Sequence, residues 1–148
     1  MAARNEDLET PPQLFYEAVQ QVMHANIAPM LALWSEQDDV TYCDPYGHHH
    51  QGRDGIVAYW QRAAQLNSHA PGSVSSTAEL IMMQRNESMI CTVMEEHIQV
   101  KQNDHVLRLK ALATNIYRYE GQQWRMIHRH SRSPSEEDKE EAWPTATT

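Results

Sequence analysis

Before Ser73 the apolar residues recur at three- and four-residue steps, and after Ser73 they alternate with polar ones. A period near 3.6 gives helices with one apolar stripe, and a period of 2 gives strands with one apolar face. Helices followed by strands restrict the chain to the α+β class. Alternating segments are expected at roughly 73–83, 88–100, 105–119 and 122–131. The gaps between them, Arg85-Asn86-Glu87, Gln102-Asn103-Asp104 and Glu120-Gly121, are too short for crossovers. The four segments therefore form antiparallel hairpins, a meander.

The helical half opens at Thr10-Pro11-Pro12-Gln13. Thr10 can cap, Pro11 suits the first helical position, and Gln13 completes a capping box. Leu14, Phe15, Ala18, Val19, Val22 and Met23 supply one apolar face, and this helix is expected to run to about Ala25. Pro29 opens a short second helix through Met30, Leu31 and Trp34, ended by Gln37-Asp38-Asp39. Residues 39–44 read as a strand. A third helix starts near Gly52, with Asp54 in its first turn and Ile56, Trp60 and Ala63 or Ala64 inward, and ends before His69-Ala70-Pro71-Gly72. A long curved sheet wrapped around the first helix would enclose a pocket for a small hydrophobic molecule.

The 148 residues suit one domain. Residues 1–10 read as a flexible N-terminus, 11–132 as the folded body and 133–148 as an acidic, disordered tail. The tail sets Glu136, Glu137, Asp138, Glu140 and Glu141 against Lys139, and the first ten residues set Glu6, Asp7 and Glu9 against Arg4. Most of the net charge of -8 therefore lies at the ends, and the body is close to neutral. No basic footprint points to nucleic acid, and no apolar run is long enough to span a bilayer. Cys43 and Cys91 form no disulfide framework or CxxC pair, so a cytoplasmic setting is expected.

The stretch TYCDPYGHHHQG at 41–52 carries the strongest chemical signal. Asp44 precedes Pro45, which biases it to extended backbone, and Gly47 can supply a positive φ. A carboxylate at such a strand end has two roles open to it: an Asx turn over Pro45 and Tyr46, or a general base in a cavity. Glu95 is the candidate for a second carboxylate. His48, His49 and His50 invite a metal reading, but neighbouring side chains in a loop need not converge, and a solvated loop with no metal is expected. His128 and His130 share one strand face, with His97 facing them or the opposite side. Trp34, Tyr42, Trp60, Tyr117 and Trp124 are candidates for a core or for a ligand-pocket wall. Thr92, Met94, Ile98, Leu112, Thr114 and Ile116 are expected on the outer sheet face, where a second copy of the chain would cover them.

Five pieces in this order, ALW at 32–34, DVTYCDPYG at 39–47, GRDGIVAYW at 52–60, NIYRYEG at 115–121 and WRMIH at 124–128, give the chain a family likeness. It resembles the ketosteroid-isomerase and nuclear-transport-factor-2-like superfamily, which includes SnoaL-like polyketide cyclases. The resemblance covers about residues 11–132. It implies a cystatin-like α+β cone, with three helices on a curved mixed sheet and a cavity. By its CDPYG context Asp44 matches the carboxylate that moves a proton on the substrate, and Asn115 stands where the family has a second aspartate. Ala18, Val19 or Gln20 falls at the place of the family's tyrosine, with Tyr16 about one turn earlier. The implied activity is a cofactor-independent isomerase, cyclase or lyase acting on a carbonyl compound. In it Asp44 is the base, and Asn115 with Tyr16 or a histidine steadies the enolate.

The ending is similar in a different way. Trp124 followed by His128 and His130 resembles the W-x3-HxH pattern of the calcium/calmodulin-dependent kinase II association domain, with Arg132 where that pattern has serine. This implies the alternative, a non-catalytic ligand-binding or oligomerisation domain. A metal-dependent hydratase or dioxygenase-like relative is a third reading that the histidines leave open.

Overall fold

The computed structural model describes residues 10–132. The expectations for the chain before Thr10 and for 133–148 lie outside the described residues. The first helix, α1 (Pro11–Val22), starts at the anticipated capping box: the Thr10 hydroxyl accepts from the Gln13 N–H, and the Gln13 side chain accepts from the Thr10 N–H. It ends three residues earlier than expected, because Ala25 turns to φ 67°, a conformation no helix continues through. The second helix, α2 (Ala28–Leu33), is closed off by Arg53, whose guanidinium donates to the Leu31, Trp34 and Ser35 carbonyls.

A short strand, β1 (Thr41–Cys43), turns back through Asp44–His48 into a second, β2 (His49–Gln51), where a solvated loop was expected. Helix α3 (Gly52–Asn67) follows directly. Four long strands complete the chain: β3 (Val74–Arg85), β4 (Met89–Gln102), β5 (His105–Glu120) and β6 (Gln123–Ser131). They form the anticipated antiparallel meander, and β1 joins it by pairing parallel to β6. The result is one open, mixed, six-stranded sheet in the order β2-β1-β6-β5-β4-β3. The α+β class and the mixed sheet with three helices are as the alternation and the family likeness implied. No described helix is long and apolar enough to cross a membrane.

Register decides which side chains meet the helices. Along β4 the buried residues are Ile90, Thr92, Met94 and Glu96, and on β5 their Cα partners Tyr117, Asn115, Ala113 and Ala111 are buried too. Phe15, Ala18, Met30, Leu33, Ile56 and Trp60 from the three helices pack on this face with Trp34, Tyr42 and Met126. At roughly 1.5–3 kcal/mol for each large apolar side chain buried, this layer holds the helices to the sheet.

Two irregularities bend the pattern. The register shifts between Leu80 and Met82 on β3, and between Ile116 and Tyr117 on β5, where Ile127 of β6 is the extra residue. Each bulge adds local twist and moves later side chains to the opposite face.

Candidate functional site

Asp44 continues the inward phase of Tyr42 and is 6% exposed. Its Oδ1 accepts from the Tyr46 N–H at 2.9 Å and the His48 N–H at 3.0 Å, while Gly47, at φ 88°, lets the chain reverse. This is an Asx turn built between β1 and β2. The other oxygen, Oδ2, lies 2.9 Å from His50 Nε2 and 3.6 Å from His48 Nδ1. Burial works against ionisation of Asp44, but the hydrogen bonds from His50, His48 and Tyr46 outweigh it and hold the carboxyl below its ordinary range. An ionised carboxylate only accepts, so His50 Nε2 carries the proton between them. The His50 ring also lies against Tyr59 and Tyr42, at centroid distances of 5.0 and 6.0 Å.

A second polar group lies inside the apolar layer. The Arg129 guanidinium meets Glu96 in a fork, Nη1 to Oε2 at 2.8 Å and Nη2 to Oε1 at 3.1 Å, and Nη1 also donates to Asn115 Oδ1 at 3.1 Å. The Tyr16 hydroxyl donates to Glu96 Oε2, and the Asn115 amide donates back to the Tyr16 oxygen at 3.2 Å. Rings of Phe15 and Tyr42 flank the guanidinium, 5.0 and 5.5 Å from its carbon. Burial alone would raise the Glu96 carboxyl, but Arg129 and the Tyr16 hydrogen bond bring it below its usual range. Burial also pushes the Tyr16 phenol upward, so it stays a donor at any physiological pH.

A family model of the SnoaL-like domain matches residues 12–135. The chain belongs to the SnoaL-like family. No curated protein matches it. Among solved structures, a Thiobacillus denitrificans protein named for the calcium/calmodulin-dependent protein kinase type II association domain is 25% identical, with a TM-score of 0.70 over 85% of this chain and 93% of that one. A domain of unknown function with a cystatin-like fold from Nostoc punctiforme is 12% identical, with a TM-score of 0.64 over 84% and 74% of the two chains. A ketosteroid isomerase-like protein from Erwinia carotovora atroseptica is 14% identical, with a TM-score of 0.60 over 84% and 92%. The last two share the fold.

In this SnoaL-like domain Tyr16 and Asn115 do come together, one hydrogen bond apart, but with Glu96 and Arg129 rather than Asp44 as partners. Trp34, Tyr42, Trp60 and Tyr117 are 0–5% exposed and belong to one buried apolar cluster, with Tyr42 and Trp60 stacking at 5.9 Å. They form core. A groove of about 880 Å³ lies elsewhere, between α1, α2 and the β5–β6 turn, lined by Leu14, Ala18, Pro29, Leu33 and Trp124 among others.

The three histidines expected at a pocket face the other way. His97 is out of phase with Thr92, Met94 and Glu96 and points to the outer face beside Glu95. His128 and His130 would share the inward side of Met126 in a regular strand. The bulge at Ile127 instead turns Arg129 and Ser131 inward and the two histidines outward, where the His128 ring meets the Thr41 hydroxyl at 2.6 Å.

The expected outer set divides because the unbroken β4–β5 register pairs each even-numbered residue of one strand with an odd-numbered residue of the other, so Thr92 and Met94 cannot share a face with Leu112, Thr114 and Ile116. Thr92 and Met94 lie inside as partners of Asn115 and Ala113, whereas Leu112, Thr114 and Ile116 lie outside with Glu95, Val93 and Cys91. Ile98, two residues beyond Glu96, falls with the inner phase.

The inner carboxylate is Glu96, not Glu95. Its signal was in the sequence, because Glu96 continues the buried spacing Ile90, Thr92, Met94. Arg129 had no such signal.

Proposed function

We propose that this SnoaL-like domain works by association, pairing with a second copy of itself through the outer face of its sheet. The observation that carries this is a contiguous strip across β4 and β5: Cys91 beside Ile116, Val93 beside Thr114, and Leu112 next to them, on the face opposite the helices. Val93, Leu112 and Ile116 keep apolar surface in solvent whose burial is favourable at roughly 25 cal/mol per Å², and a second sheet face is the usual cover for such a strip. Pairing by a twofold axis brings the same strip against itself.

The interior supports the same reading. The groups that a proton-transfer mechanism would use are occupied: Asp44 holds its turn, and Tyr16 and Asn115 hold the Glu96–Arg129 pair. The 25% identical protein is itself named for an association domain. Light scattering at micromolar concentration should give a dimer mass, and Ile116→Lys and Val93→Lys should each give folded monomers. A monomeric wild type at that concentration overturns the reading.

The Asp44–His50 contact favours a second reading, in which the domain binds a small hydrophobic carbonyl compound and removes a proton from it. A carboxylate held below its ordinary range is a poor base by itself, but it can orient an imidazole that does the work. Deuterium from solvent should then enter an enolisable ketone, with the rate falling in Asp44→Asn and in His50→Gln. Equal rates in all three proteins would reject it.

A further inference from the structure

We propose that Glu79, Glu95 and His97 form a zinc-type divalent cation site on the outer face of β3 and β4. Glu79 and Glu95 are direct Cα partners in the antiparallel pair, which sets two like charges opposite each other, an arrangement that costs stability unless a cation lies between them. His97 stands two residues along the strand from Glu95 and so projects from the same face. One ligating atom from each of the three residues lies within 4.8 Å of the other two, and among the described residues this is where three such atoms converge.

The donor geometry is close to what a metal needs. His97 Nε2 is 3.3 Å from Glu95 Oε1. Ligands at about 2.0–2.2 Å from a tetrahedral ion stand roughly 3.3–3.5 Å from each other, so the Glu95–His97 edge is already at that spacing and only the exposed Glu79 arm has to close in. The other carboxylate oxygen, Oε2, faces Lys110 Nζ at 3.5 Å across β4–β5. Ligation through Oε1 therefore leaves Lys110 in place as an outer partner that fixes the carboxylate.

One imidazole nitrogen with two carboxylate oxygens favours a borderline ion such as zinc over magnesium, which seeks oxygen alone. Three protein ligands leave the fourth position for water or another donor. His48, His49 and His50 do not compete as a set, since His48 and His50 both turn to the Asp44 carboxylate.

Calorimetric titration of the full, untagged chain with zinc chloride in a magnesium background tests this. The expected result is one zinc per chain, with affinity lower by roughly tenfold or more in Glu79→Gln and in His97→Gln and unchanged in the His48→Gln/His49→Gln double variant. Metal-free Glu79→Gln should melt at the same temperature as wild type or higher, because the cross-strand repulsion is relieved, so its loss of zinc is not loss of folding. No zinc uptake by the wild type, uptake that tracks His48 and His49, or full displacement by magnesium overturns the site. Molar mass read on the same samples keeps failure of pairing distinct from failure of the cation site.

Discussion

Arg129 on β6 and Glu96 on β4 meet across β5 in two hydrogen bonds of 2.8 and 3.1 Å, with both side chains at least nine-tenths buried. A buried ion pair is a poor source of stability compared with apolar residues of the same size, but breaking one is expensive. Glu96→Gln or Arg129→Met alone should cost about 3–5 kcal/mol in urea unfolding, by leaving a charge unpaired. The double variant Glu96→Leu/Arg129→Met should recover most of that loss. A double variant as unstable as the sum of the two single changes would mean that the pair fixes the packing of β4 against β6 in a way that apolar side chains cannot.

Asp44→Asn tests what the carboxylate at the β1–β2 turn is for. The amide oxygen can still accept from Tyr46 and His48, but without charge, and the contact with His50 weakens. A loss of roughly 1 kcal/mol or more is expected, the size of a weakened charge-assisted hydrogen bond. An equal or higher melting temperature would mean that the carboxylate is a burden kept for chemistry, and would favour proton transfer over association.

Acid should destabilise the domain in two steps. Asp44 and Glu96 both have folded values below their unfolded ones, so their contribution is complete above about pH 5, past the ordinary unfolded carboxyl range, and is lost as pH falls through the lower folded values. His128 is also lowered, by burial first and by neighbouring His130 second. The unfolded chain therefore takes up a proton there before the folded one does, and stability begins to fall below about pH 6.5. His128→Gln should remove that upper arm of the stability curve and leave the carboxylate arm.

Gly52 joins β2 to α3 at φ 79°, and a Cβ built there would stand 3.0 Å from Asp38 Oδ1. That oxygen accepts from the Arg53 N–H at 3.0 Å and so caps the helix from a distance. Gly52→Ala should cost about 1–2 kcal/mol by thermal unfolding, from left-handed backbone and a displaced cap together. An unchanged melting temperature would show that Asp38 can move aside without loss.

The elements were legible because each is written locally. The capping box at Thr10 and Gln13, the proline at the start of α2 and the three short gaps between strands act over a few residues, and the structure has all of them. The core stripe of Phe15, Ala18 and Val22, like that of Ile56 and Trp60, follows directly from helical spacing. Asp44 as a turn-former was equally readable, since an Asx turn needs only the next few N–H groups. The β2 strand was missed because His49-His50-Gln51 has no apolar alternation of its own and pairs only once β1 is in place.

The residue types and periods of the chain thus determined the α+β class, the order of its elements and the existence of a polar group at the end of β1. Only the tertiary structure decided which polar side chains meet. A strand's faces alternate with a period of two, so one inserted residue exchanges inside and outside. Ile127 is that residue on β6, and it turned Arg129 toward Glu96 while sending His128 and His130 out. Its position depends on how β6 pairs with β5 and β1, contacts between residues far apart in the chain, and no local pattern encodes them.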